Sequence, residues 1–278
     1  MPCPRIGHIN FLNVLPLGWS FQNGAAEGID LRKGVPAEMN AAICRGELDV
    51  SNVSSILYAR HSDELVILPE VCVSTDGPVT SILLVSRLPI EELNDARIVL
   101  TAQSATSHCL LKIILHDGYA LQPRYDVRSI TPEDPIPDDA AASLFIGDNA
   151  LWLYHHRQPE LHYYDLGAEW KKLTGKKMVY ALWVANRQFA KQHPDQLRMA
   201  WRRIRSGLRD GFTHKDEAIK SALRRKPFTY QQLDAYLGPV IKWDLTPAYL
   251  EGLQEFYRRA AASHLIDYVP KLNMAEVK

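Results

Sequence analysis

Four strand-to-helix junctions of this sequence carry small hydroxyl and amide residues: Asn10 with Asn13, Ser51 to Ser55, Ser104 to Ser107, and Asp148 with Asn149. The first turn of a helix presents unpaired N–H groups and partial positive charge, which together bind carboxylate or phosphate. Ser and Thr add hydroxyl donors, and an Asn amide both donates and accepts. Each of these residues is equally suited to be an ordinary N-cap or turn former. An anion site requires that several of the junctions face one cleft.

Asp148 follows the apolar run Phe145-Ile146 directly. A carboxylate there is placed either to act as a general acid or base or to cap the helix that begins beside it, and sequence does not separate the two roles. The chain has no G-x-G-x-x-G, Walker loop, H-E-x-x-H or G-x-S-x-G, so nucleotide cofactors and zinc hydrolysis lack their usual signatures. The pair His155-His156 with His162, and His108-Cys109 with His116, match no common zinc spacing, and adjacent helical histidines point about 100° apart. No metal or cofactor is expected. The basic run Trp201-Arg202-Arg203-Ile204-Arg205 reads as the solvated face of an amphipathic helix rather than a nucleic-acid surface.

The whole chain gives these residues a neutral setting. Lys and Arg total 32 against 32 Asp and Glu, so no general field attracts nucleic acid or an anionic membrane, and an anion must be caught locally. The 278 residues, 46% apolar and 23% charged, can bury a sizeable core in two lobes or one large domain. Cys3, Cys44, Cys72 and Cys109 lie far apart, which suits neither a zinc ribbon nor a disulfide scaffold and suggests a reduced, cytoplasmic setting. The start shows no secretory pattern, and no apolar run approaches the roughly 20 residues of a membrane span. A soluble cytoplasmic protein with no nucleic-acid or membrane partner is expected, with homodimer formation left open.

The elements that must position the junctions alternate. Arg5 to Ile9, Ile29 to Arg32 and Leu48 to Ser51 read as strands, and Leu15 to Phe21, Val35 to Arg45 and Ser54 to Arg60 as helices. Two β-rich runs, Leu65 to Ser74 and Val79 to Ser86, flank the turn Thr75-Asp76-Gly77-Pro78. The rhythm then restarts with strand Arg97 to Thr101, helix Ser107 to His116, and strands Tyr125 to Ile130 and Ser143 to Ile146. Val179 to Ala185 is a further buried strand. Beyond Arg187 three or four helices are predicted, with Leu197, Trp201, Ile204 and Leu208 on one face and capping boxes at Thr213-x-x-Asp216 and Thr229-x-x-Gln232. The expected fold is α/β, with a first lobe of residues 1–87 and 179–278 and a second, inserted lobe of 88–178. Mixed sheets are flanked by helices, and a cleft lies beyond the strand ends.

Several strings, in order, resemble the chorismate dehydratases of the futalosine route to menaquinone. They are Arg5 to Leu17, Leu48-Asp49-Val50 running into Val53-Ser54-Ser55, Gly77-Pro78-Val79-Thr80-Ser81, Thr106-Ser107, Ile146 to Leu151, and Asp165 to Trp170 running through to Trp183. Asn52 departs from the family, where proline is frequent, as do Lys176-Lys177. The resemblance implies a two-lobed fold like that of type II periplasmic binding proteins, no cofactor, and elimination of water from chorismate to give 3-[(1-carboxyvinyl)oxy]benzoate.

Carried onto the matching positions, the resemblance makes Asn13, His8 and Asp148 the catalytic candidates. Ser54, Ser55, Thr80, Ser81, Thr106, Ser107, Gly147 and Asn149 become the substrate-binding ones. The proton acceptor stays open among His8, Asp148 and the substrate's own enolpyruvyl carboxylate, with Asn13 orienting the reacting ring. The alternatives are a 1,4-dihydroxy-6-naphthoate synthase-like enzyme and a non-catalytic protein of the same fold that binds small anions.

Overall fold

The computed structural model describes residues 3–277. Its first third runs β1 (Arg5–Ile9), α1 (Leu15–Ser20), β2 (Asp30–Gly34), α2 (Pro36–Cys44), β3 (Val50–Ser54), α3 (Ser55–Arg60) and β4 (Leu65–Thr75). The middle runs β5 (Ile82–Ser86), β6 (Arg97–Thr101), α4 (Thr106–Ile113), β7 (Arg124–Arg128), β8 (Ala142–Ile146), α5 (Gly147–His155), β9 (His162–Asp165) and α6 (Leu166–Thr174). The chain then returns through β10 (Met178–Asn186) to α7 (Arg187–Gln192), α8 (Pro194–Thr213), α9 (Lys215–Leu223), α10 (Tyr230–Tyr236) and α11 (Pro247–Ala262).

Two five-stranded sheets result, ordered β2-β1-β3-β10-β4 and β7-β6-β8-β5-β9. In each, four strands run in one direction, and one antiparallel strand is inserted between the third and the edge strand. That inserted strand, β10 in the first sheet and β5 in the second, is the one the chain forms just after crossing from the other sheet. Both sheets are thus mixed and covered by helices, in two lobes.

Residues 82–86, assigned by the sequence reading to the first lobe, pair instead with β8 and β9 in the second sheet. All five are buried. A strand apolar on both faces carries no period that says which sheet it joins. Among the described residues five helices follow β10, one more than the most expected. The capping box at Thr229 forms as predicted, Gln232 N–H donating to Thr229 Oγ1 at 3.2 Å and Thr229 N–H to Gln232 Oε1 at 2.8 Å. The one at Thr213 does not: Thr213 ends α8, and its hydroxyl donates back to the Arg209 carbonyl at 3.1 Å. Local hydrogen bonding to the preceding turn competes with capping in hydroxyl residues. Leu197, Trp201, Ile204 and Leu208 are all buried on α8, which packs against α1. Among the described residues no helix is long and apolar enough to cross a membrane.

The two crossings between sheets, residues 76–81 and 166–177, are tied together by Asp165. Its carboxylate accepts the N–H groups of Val79 (2.9 Å) and Thr80 (2.6 Å) on one crossing, and of Gly167 (2.8 Å) and Ala168 (3.0 Å) at the start of α6. Gly167 permits the approach, because a Cβ there would run into the Gly77 carbonyl.

Candidate functional site

Parallel strands end together, so the loops after β1 and β3 in one sheet and after β6 and β8 in the other are the places where a ligand can meet several helix N-termini at once. These four junctions converge. Asn13 after β1, Ser54 at the end of β3, Ser104 to Ser107 leading into α4, and Gly147 at the start of α5 all line one interlobe cleft. The crossings add Val79, Ser81, Tyr180 and Ala181. The cleft holds about 80 Å³, less than the roughly 150 Å³ that admits a benzene ring. A ligand of that size needs the lobes or the lining side chains to give way.

No Asp, Glu, His, Lys or Arg lines this cleft among the described residues; its one titratable group is Tyr180. Burial pushes the Tyr180 hydroxyl far above its ordinary range, with the Asp165 charge adding to the effect, so it stays protonated. What the cleft offers instead is unpartnered amide. Asn13 Oδ1 and Asn52 Nδ2 are buried with no hydrogen-bond partner among the described residues. One is an acceptor and the other a donor, and leaving a buried group of this kind unmade costs about 1–3 kcal/mol. Asn13 is held by its backbone, whose carbonyl accepts Trp243 Nε1–H at 2.9 Å.

The hydroxyls divide. Ser107 contributes its N–H to Ser104 Oγ at 3.2 Å, and its own hydroxyl makes no hydrogen bond among the described residues. Thr106 lines the cleft, but its hydroxyl accepts Ile56 N–H at 3.2 Å across the lobes and lies 3.3 Å from Ser55 Oγ. Ser54 pairs reciprocally with the Asn40 side chain, Asn40 Nδ2–H donating to Ser54 Oγ at 3.1 Å and Ser54 N–H to Asn40 Oδ1 at 3.2 Å. Ser81 accepts Tyr236 O–H at 2.8 Å. Gly147 has φ +62°, and a Cβ there would press to 3.2 Å from the Phe11 ring, so glycine lets that ring close over the junction.

The other expected residues lie elsewhere. Ser55 is fully buried and donates to the Val179 carbonyl at 2.9 Å. Thr80 and Asn149 do not line the cleft. His8 and Asp148 line a second pocket, which shares only Phe11 with the first. His8 is 2% exposed, and burial, with a small contribution from Lys33, pushes its imidazole down to about 3, so it is neutral near pH 7. Asp148 joins the lobes: from α5 it accepts Leu12 N–H at 3.0 Å and pairs with Lys226 Nζ at 2.7 Å. Gln103 and Tyr180 were missed by the sequence reading, and Asn52, which falls within the junction Ser51 to Ser55, was given no role in the site.

With this geometry in place, four likenesses bear on the chain. Residues 4–262 match the family described as menaquinone biosynthesis. A chorismate dehydratase of Thermus thermophilus is 32% identical over 234 residues, covering 79% of this chain and 82% of that one. Among solved structures, an Archaeoglobus fulgidus protein superposes with a TM-score of 0.78 at 17% identity, covering 95% and 98% of the two chains. The periplasmic aliphatic sulphonate binding protein of Escherichia coli gives 0.68 at 14%, covering 99% and 92%. The architecture is therefore the periplasmic-binding-protein-like one.

The expectation of a cytoplasmic protein is corrected by the same likeness: the sulphonate binding protein is periplasmic, and a ligand binding component of an ABC-type import system from Staphylococcus aureus shares the architecture. The cysteines carried that expectation too far. Cys72 and Cys109 are buried and free and serve as small apolar core residues, a role that does not report the compartment.

Proposed function

The chain belongs to the menaquinone biosynthesis family, and from that premise we propose that its interlobe cleft eliminates water from chorismate to give 3-[(1-carboxyvinyl)oxy]benzoate. The observation that carries this reading is a cleft that, among the described residues, has no charged side chain but two unpartnered buried amides, Asn13 and Asn52. Chorismate brings the charge itself, as two carboxylates. The free hydroxyl of Ser107 and the remaining first-turn N–H groups of α4 and α5 are the donors available to hold the ring carboxylate, the N–H groups of Ser107 and Gly147 being already engaged by Ser104 Oγ and the Ser81 carbonyl.

The reaction needs a proton removed from the ring carbon that bears the enolpyruvyl ether and a hydroxide lost from the neighbouring carbon. The carbanion charge delocalises through the ring diene onto the ring carboxylate, and loss of hydroxide makes the ring aromatic. With no protein base lining the cleft, the substrate's enolpyruvyl carboxylate takes the proton and delivers it to the departing hydroxide as water. Asn13 orients the ring and its hydroxyl, an effect of proximity rather than of acid–base exchange. Low polarity around the reacting atoms keeps that carboxylate unsolvated and so more basic than in water.

Entry of so large a diacid requires opening, and the crossings at 76–81 and 166–177 are the places to bend. The direct test is incubation of the purified protein with chorismate, followed by mass spectrometry. Loss of one water to give the aromatic ether is expected. Saturable binding of chorismate without that loss would make the protein a receptor of the same fold and overturn the proposal.

A further inference from the structure

The pocket on the far side of Phe11 is built from different chemistry than the cleft. The loop after α9 supplies Arg224, Arg225 and Lys226, all exposed, along one wall. Lys226 is paired with Asp148, whereas neither guanidinium has an acidic partner among the described residues. Two unneutralised cations therefore face the same space. Against them lie Phe11 and Trp19, the latter held by stacking on His214 with ring centroids 5.2 Å apart. At about 220 Å³ the pocket exceeds the roughly 150 Å³ that takes a benzene ring.

The independent mark of a ligand is His8. It lines this pocket, is 2% exposed, and neither of its ring nitrogens has a hydrogen-bond partner among the described residues. Gly18 leaves it accessible, for a Cβ at that position would sit 3.1 Å from His8 Nε2. A buried imidazole kept neutral adds no charge, but it can give or take one hydrogen bond at a fixed place. Cations on one wall, fixed aromatic rings on another and a neutral polar group between them match a flat ring that carries a carboxylate at one end and a polar substituent at the other.

We propose that this pocket is a second binding site, for an aromatic carboxylate, held by Arg224 and Arg225 against Phe11 and Trp19 with His8 meeting a ring substituent. The site stands apart from the chemistry of the cleft and does not depend on what the cleft does. Because Asp148 and Lys226 form its rim, a ligand there touches the ion pair that joins the lobes.

The test uses the full chain labelled with 5-fluorotryptophan, its Trp19 fluorine resonance assigned through Trp19→Phe, and titrated with 3-hydroxybenzoate, with benzoate and with inorganic phosphate. A saturable shift of the Trp19 resonance with 3-hydroxybenzoate is expected, and Arg224→Gln/Arg225→Gln should weaken it at least tenfold. His8→Gln should narrow the difference between 3-hydroxybenzoate and benzoate. Comparable melting temperatures of the double variant and the parent establish that it is folded. A Trp19 resonance that does not move, or moves with unchanged affinity in the folded double variant, overturns the site. Phosphate binding as tightly as 3-hydroxybenzoate overturns its aromatic selectivity.

Discussion

Two cavities share the ring of Phe11 and little else. The cleft is neutral, lined by amides, hydroxyls and aliphatic side chains, whereas the pocket behind it holds His8, Asp148, Arg224, Arg225 and Lys226. Residues adjacent in sequence are divided between them: Ile9 lines the cleft and His8 the pocket, Gly147 the cleft and Asp148 the pocket. The lesson is that the groups best able to exchange protons have been kept out of the place where four strand ends converge. On the proposed reading, chemistry in that place comes from orientation and from the substrate's own charge.

The division is broken or sharpened most forcefully at Asn13. If orientation in the cleft carries the reaction, Asn13→Ala lowers kcat by about 100-fold or more, the cost of misplacing a reacting group, with product-analogue affinity nearly unchanged. Steady-state kinetics beside calorimetric titration of that analogue check it, and an Asn13→Ala enzyme with near-normal kcat would remove the cleft's main claim to the chemistry.

On the pocket side the larger effect is on stability. His8 takes up its proton near 6.5 in the unfolded chain but only near 3 when folded. The unfolded state therefore binds more protons between these values, and stability present above pH 6.5 is lost as pH falls toward 3. This loss amounts to about 3 kcal/mol between pH 7 and pH 4. Urea unfolding at the two pH values should show His8→Gln losing markedly less stability on acidification than the parent. An equal loss would mean that His8 is not held neutral by burial.

Smaller effects separate the two cavities further. Ser107→Ala removes one donor to a carboxylate in both ground and transition states, so KM should rise roughly 2- to 10-fold with kcat little changed, as for one hydrogen bond. Asp148→Asn keeps an acceptor for Leu12 N–H and loses only the part-exposed pair with Lys226. Exposed ion pairs contribute about 0–1 kcal/mol, so kcat should stay within about fivefold of the parent. A collapse of kcat in Asp148→Asn would return that carboxylate to the chemistry and erase the contrast between the cavities.

Much of the fold is legible in the sequence, because alternating strand and helix periods are local facts and the hydroxyl and amide residues mark where parallel strands end. The sheet membership of β5 is not, since a strand buried on both faces has no period to point with. The site is legible as a set of junctions and not as a set of side chains. Successive residues of a strand face opposite sides, and successive residues of a helix diverge by about 100°. A string such as Gly7-His8-Ile9-Asn10 therefore names a place in the fold without telling which member enters the cleft. Nor does sequence tell which hydroxyls remain free: Ser107 does, whereas those of Thr106 and Ser55 are engaged across the lobes and with the backbone.

The central claim is that a cleft with no protein base performs the elimination, and the dependence of kcat on pH with chorismate as substrate tests it most directly. With the proton taken by a substrate carboxylate, kcat should be level between about pH 5 and 9, and His8→Gln and Asp148→Asn should leave the profile's shape unchanged. A limb near neutrality that disappears or moves in either variant, or an absence of turnover at every pH, would contradict the account.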